Sequence, residues 1–212
     1  VITIGQLLGM AAHIEGKGIV TQDSAGLAQK GGATWSHVLI ADNQADIRTT
    51  RVSTAAADLI LGCDPIVTAG KETMVRMRPG RTRALINTHE QPTGHFAQQR
   101  DWAYPADTVR QLINEATGDA AEFMPATHLA TELLGDAIAT NLFMLGFAFQ
   151  KGLVPLKAAS LLQALAINGV AVLANQRAFE WGRRAAVDLA AVQRAAAPAQ
   201  PVHLERPQTL QA

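Results

Sequence analysis

Three short, continuous apolar runs set the frame for this chain: residues 58–62 (DLILG), 83–87 (RALIN) and 122–124 (EFM). Runs of this length read as strands buried on both faces. Helical stretches lie between them. Asp64 offers an N-cap and Pro65 suits the first helical position, predicting a helix over 65–77 that Pro79-Gly80 breaks. A second helix is predicted over 105–117 and closed by Gly118. Strands alternating with helices predict an α/β layer architecture with a mostly parallel sheet.

Upstream, residues 4–15 fit an amphipathic helix with small residues at Gly5, Gly9, Ala11 and Ala12, suited to close packing on a sheet. Gly16-Lys17-Gly18 ends it. Residues 19–21 read as a short buried strand, 24–33 as a loop and 34–41 (TWSHVLIA) as a strand. The alternation in 47–52 (IRTTRV) predicts a partly exposed strand paired with Trp35–Ile40. After Pro125 helices follow alone, over 127–149, 155–167 and 170–197, and a proline-bearing tail over 198–212 reads as a linker or disordered segment. In the segment 137–149, Leu142, Phe143, Met144, Leu145, Phe147 and Phe149 point all round a helix. That surface needs burial, either against the chain's own sheet or against another molecule. The opening Val1-Ile2-Thr3-Ile4-Gly5 has no Met and no basic leader, and reads as the middle of an element within a longer polypeptide.

Lys and Arg number 18 and so do Asp and Glu, so the formal charge is zero. A neutral chain has no electrostatic footprint for nucleic acid or an anionic membrane surface. No apolar stretch reaches the roughly 20 residues of a membrane span. Cys63 is the one cysteine, so the chain alone can supply neither a disulfide framework nor the thiolates of an iron–sulfur cluster. A reducing compartment, the cytoplasm, is expected.

The six histidines sit on separate elements without metal-ligand spacing, and no Gly-x-Ser-x-Gly elbow is present. His89 and His95 flank a turn and are the histidines best placed to act together. Cys63 precedes a predicted helix N-terminus. It is either a reactive thiol or, more in keeping with free cysteines, a small buried hydrophobe. The segment from Gln22 to Gly32 stands apart. It follows a strand, where open α/β sheets place ligands. Gly26 and Gly31-Gly32 bracket Gln29 and Lys30, and free N–H groups beside a lysine suit an anionic group such as a phosphate. The alternative is a plain hairpin turn with a solvated Lys30.

Asp23-Ser24-Ala25-Gly26-Leu27-Ala28-Gln29-Lys30-Gly31-Gly32, followed by Ser36-His37-Val38, resembles the gamma-type domain of 2-oxoacid:ferredoxin oxidoreductases, the family of the pyruvate and indolepyruvate enzymes. The likeness continues through Ala57-Asp58-Leu59-Ile60-Leu61-Gly62, Asp64 and Asn87-Thr88, and covers residues 1–149. In detail it is most similar to the gamma segment of the long, fused indolepyruvate ferredoxin oxidoreductase proteins.

The resemblance implies an α/β fold: a mostly parallel Rossmann-like sheet flanked by helices, with a C-terminal helical extension. It divides the chain into a gamma-type domain over 1–150, a helical extension over 151–197 and the tail. In the family a first strand and a Gly-rich loop precede the stretch matching Val1-Ile2-Thr3; neither is present in this sequence, so the central strand of the expected sheet is expected to be missing or disordered. The implied activity belongs to a larger enzyme, which decarboxylates a 2-oxoacid to an acyl-coenzyme A and reduces ferredoxin. Thiamine diphosphate and the iron–sulfur clusters are then held by other domains or subunits, and the isolated chain is expected to be inactive. This domain is expected to support assembly and to be a candidate for coenzyme A contact through Asp23, Gly26, Gln29, Lys30, Gly31 and Gly32. Other parts of the enzyme, ferredoxin and a second copy of the chain are the expected partners. Two alternatives compete. One is a nicotinamide-dependent Rossmann dehydrogenase, with Asp23 as its ribose-binding acid but no glycine loop. The other is a purely structural module.

Overall fold

The computed structural model describes residues 2–25, 33–90 and 105–197. Helix α1 (Ile2–Ile14) is followed by strands β1 (Gly18–Ala25) and β2 (Thr34–Ala41), an antiparallel pair in register from Gly18 opposite Ala41 to Ala25 opposite Thr34. Strands β3 (Leu59–Gly62), β4 (Arg83–Asn87) and β5 (Ala121–Met124) form a parallel sheet in that order. Short helices α2 (Pro65–Thr68) and α3 (Lys71–Met74) join β3 to β4, and α4 (Ala106–Thr117) leads into β5. Helices α5 (Ala126–Leu134), α6 (Thr140–Gln150), α7 (Ala158–Asn168), α8 (Val172–Val187) and α9 (Leu189–Ala196) complete the described chain. The expected α/β class, with a parallel sheet between helices, is the fold found.

Alternation along β4 sorts the layers. Leu85 faces a large core built from α1, α5, α6, α7, α8 and α9, whereas Ala84 and Ile86 face Val109 and Ile113 of α4. β4 is therefore buried on both faces. β3 lies at the sheet edge, so Leu59, Ile60 and Leu61 remain half-buried instead of fully covered. The apolar stretch around Phe143 finds its cover inside the chain. Leu142, Phe143, Met144, Leu145, Phe147 and Ala148 of α6 are all buried, which removes the need for another molecule there.

Small residues set the close contacts. A Cβ on Gly5 would lie 2.6 Å from Ser36 Oγ, and one on Gly9 would lie 3.6 Å from Thr21 Cγ2, so α1 rests directly on the β1–β2 pair. On the other side, Gly146 of α6 and Gly182 of α8 let the two backbones touch.

Several expected boundaries move. β1 extends through Ser24 and Ala25 into the expected loop, because β2 supplies a full partner ladder. Residues 47–52 do not pair with β2; β1 does. The backbone of this segment is engaged by side chains instead, with Val52 N–H donating to His37 Nδ1 at 3.3 Å and Thr49 Oγ1 donating to the Arg51 carbonyl at 2.9 Å. Such local bonds compete with a strand ladder. The helix expected over 65–77 is broken at Ala69-Gly70, where extended Gly70 starts a new turn. Gly135, at φ 77°, splits the helix expected over 127–149, and Asp136 then caps a 3-10 turn. Asp188 divides the last helix by accepting from Ala191 N–H at 2.8 Å.

Candidate functional site

The sequence places its candidate site at the β1–β2 hairpin. Of its residues, Asp23 is described; Gly26, Gln29, Lys30, Gly31 and Gly32 lie outside the described residues. Asp23 is exposed near the end of β1, opposite Ser36, and its Oδ1 accepts from Ser36 Oγ at 2.6 Å. Gly5 of α1 backs directly onto this pair, so the bond is part of the seat on which α1 rests. β1 belongs to an antiparallel pair, not to the parallel sheet. Asp23 therefore does not occupy the place of a ribose-binding acid, which follows the second parallel strand of a dinucleotide fold.

Behind the hairpin, Trp35 Nε1 donates to Thr73 Oγ1 at 3.1 Å and ties β2 to α3. His37 is buried on the same strand. Burial lowers its pKa, and the nearby Arg76 and Arg51 lower it further, so it stands as a neutral acceptor for Val52 N–H.

A second polar cluster closes the carboxyl ends of the parallel strands. Asn87 ends β4 and is buried. Its Nδ2 donates to the Cys63 carbonyl at 3.1 Å and to Thr127 Oγ1 at 2.8 Å, while its Oδ1 accepts from Thr127 N–H at 3.2 Å. One side chain thus binds the exits of β3 and β4 to the start of α5. Thr127 was missed by the sequence reading, because its partner lies 40 residues away and no local pattern marks it. The network is satisfied, so it positions backbone and leaves no group poised for acid–base work.

Cys63 joins the apolar packing beside this cluster. The residue keeps some exposed surface, yet enough protein surrounds the sulfur that desolvation pushes the thiol up to about 11. The helix start beside it spans four residues, and Asp64 Oδ1 already accepts from Ile66 and Val67 N–H. This is the buried-hydrophobe behaviour and not that of a reactive thiol. His89 is exposed, and His95 lies outside the described residues. Among the described residues, no three His, Cys, Asp or Glu side chains come together to hold a metal ion, and no helix is long and apolar enough to cross a membrane.

The family model described as pyruvate ferredoxin/flavodoxin oxidoreductase matches residues 1–185. The chain belongs to that family. It is a gamma-type domain of it, as the motifs around Asp23 and Asp58 imply. A curated relative, the indolepyruvate oxidoreductase subunit IorB of Methanothermobacter thermautotrophicus, is 25% identical over 193 residues, covering 89% of this chain and 92% of its own. The fold of the gamma-type domain is similar to three solved structures. The gamma subunit of a keto/oxoacid ferredoxin oxidoreductase from Geobacter sulfurreducens matches with a TM-score of 0.55 and 18% identity, over 87% of this chain and 90% of that one. Pyruvate oxidoreductase subunit PORC from Thermotoga maritima gives 0.56 and 18%, over 86% and 87%. The 2-oxoglutarate:ferredoxin oxidoreductase of Magnetococcus marinus, solved with 2-oxoglutarate, coenzyme A and succinyl-coenzyme A, gives 0.61 and 17%. It matches 98% of this chain, which spans 31% of that longer one.

Proposed function

We propose that this gamma-type domain works inside an indolepyruvate-type 2-oxoacid:ferredoxin oxidoreductase, where it supports assembly and contacts coenzyme A through Gln29, Lys30, Gly31 and Gly32. The observation that carries the substrate class is the relative matched over nearly the whole length of both chains, which is an indolepyruvate oxidoreductase subunit. Coenzyme A contact is supported by the residue types of the segment after β1: two adjacent glycines, an amide and one cation suit a phosphate. Asp23 accepts from Ser36 across β1 and β2, next to the start of that segment.

One cysteine, held as a protonated thiol, does not fit an iron–sulfur cluster, and this reading gives the cluster and thiamine diphosphate to other parts of the enzyme. The isolated chain is then inactive toward 2-oxoacids, and the location is cytoplasmic.

The test uses the complete enzyme. With Lys30→Ala in the assembled oxidoreductase, the coenzyme A KM should rise about tenfold, the effect of a contact worth about 1.4 kcal/mol, with kcat little changed. Indolepyruvate should be turned over with a higher kcat/KM than pyruvate. An unchanged coenzyme A KM with intact assembly rejects the loop's role, and a preference for pyruvate rejects the substrate class.

A further inference from the structure

Between β2 and β3 the chain passes through Arg48-Thr49-Thr50-Arg51-Val52-Ser53-Thr54, which holds two cations, four hydroxyls and no acid. It is neither helix nor strand, yet it is pinned at several points. Thr49 and Val52 make the bonds to the Arg51 carbonyl and to His37 already described. Gln22 of β1 makes more. With its amide oriented to satisfy both ends, Nε2 donates to Thr50 Oγ1 at 2.7 Å and to the Thr50 carbonyl at 3.2 Å. Its oxygen accepts from Arg51 Nε and one terminal nitrogen at 3.1 and 3.2 Å. Gln22 thereby fixes one edge of the Arg51 guanidinium and leaves the other edge for a second acceptor.

With Val20 and Ile47, residues 48–53 line an open depression of about 730 Å³. Among the described residues neither Arg48 nor Arg51 has an ion-pair partner; Glu72 pairs with Arg76, and Asp58 pairs with Arg81. The local field is positive, as the effect of Arg76 and Arg51 on His37 shows, with Glu72 opposing it. Two guanidinium groups and the Thr50 and Ser53 hydroxyls in one concavity offer more donors than the two oxygens of a carboxylate can use. A phosphate has the oxygens and the charge to match them. The depression is wider than a bare phosphate, and Val20 and Ile47 give the remainder of such a molecule an apolar surface to lie on.

We propose that this depression binds a phosphate-bearing small molecule, with Arg48 and Arg51 holding the phosphate and Thr50 and Ser53 donating to its oxygens. The proposal concerns residues 47–53 and does not rest on coenzyme A binding through Gln29–Gly32.

Calorimetric titration of the 212-residue chain with pyrophosphate at low ionic strength tests it. Saturable one-to-one binding is expected. Arg48→Ala/Arg51→Gln should weaken it at least tenfold, and Arg177→Ala, which removes an exposed cation of α8 outside the depression, should leave it unchanged. Arg48 is exposed and makes no bond among the described residues, so Arg48→Ala alone keeps the fold, checked by circular dichroism, and should weaken binding about threefold. ADP as a second probe separates the sources: equal affinity assigns the grip to the phosphates alone, and tighter binding assigns it to a nucleotide-like molecule lying on Val20 and Ile47. Absence of saturable binding overturns the site. So does binding that survives the double substitution, or binding lost to the same degree in Arg177→Ala.

Discussion

Alanine at Gly182 or Gly146 tests how closely α6 and α8 cross. A Cβ on Gly182 would lie 1.9 Å from the Phe143 carbonyl oxygen, and one on Gly146 would lie 2.0 Å from that of Phe179. Ordinary contact begins near 3.4 Å, so either substitution must part the helices by about 1.5 Å. Phe143 and Phe179, both fully buried, pack at this crossing and lose contact when it opens. Gaps of about 0.5–1 Å already forfeit a quarter to a half of each dispersion contact, and overpacked cores typically lose about 1–3 kcal/mol. Replacing a mid-helix glycine returns about 1 kcal/mol of helix propensity. Taking the upper part of the packing range, because the obstacle is backbone and cannot rotate away, the net loss is about 2 kcal/mol for either single variant. That corresponds to about 6 °C in Tm for a chain of this size. Urea unfolding followed by far-UV circular dichroism measures it. The double variant adds a sharper criterion. Once the first methyl has parted the helices, the second finds room, so the pair should cost less than the sum by about 1 kcal/mol. A Gly182→Ala protein at least as stable as the parent, or strictly additive losses, would refute the close crossing.

Three other perturbations follow from the same structure. Asn87→Ala should destabilise by about 3 kcal/mol in urea titration, since it strips partners from the Cys63 carbonyl and the Thr127 N–H in a buried place; a loss under about 1 kcal/mol would show that water replaces the amide. His37 has a lowered pKa, so the unfolded chain binds its proton more readily than the folded one. Its contribution is complete above the ordinary histidine pKa near 6.5 and is lost as pH falls through the lower folded value, so stability should decline below about pH 6.5 and His37→Gln should flatten that decline. An unchanged slope in the variant would remove His37 from the account. Cys63 has its thiol raised from 9.0 to about 11, so at pH 8 the folded chain should react with iodoacetamide roughly a hundredfold more slowly than an unperturbed thiol. Because the unfolded thiol ionises first, the folded state should also lose stability as pH rises from about 9 to about 11. Alkylation at the rate of a free cysteine would contradict the burial.

Much of the architecture is written in local chemistry. Runs such as LILG and RALIN read as strands from their own residues, although only β4 is covered on both faces and β3, at the edge, is not; Asp64-Pro65 starts a helix by bonding its own neighbours, so β3, β4, the start of α2 and the α/β class are legible from residues near in sequence. The same holds for the family, because the Gln29-Lys30-Gly31-Gly32 motif and the residues around Asp58 are contiguous words. Where a backbone group has two competing partners, local reading fails. Ile47–Val52 alternates like a strand, but β1 claims the edge of β2, and Gln22 and His37 take the segment's polar groups. The Arg48–Ser53 pocket therefore exists only because β1 brings Gln22 beside Thr50 and Arg51, 28 and 29 positions further on. Glycine is the other source of silence. Gly146 reads as an interruption in an apolar helix, and its meaning lies in Phe179, 33 residues away, whose carbonyl fills the space its missing side chain leaves. Secondary structure follows from neighbours along the chain. Strand partners, the helix crossing and the charged pocket follow from which distant groups satisfy hydrogen bonds and fill volume, and that choice is made only when the whole core closes.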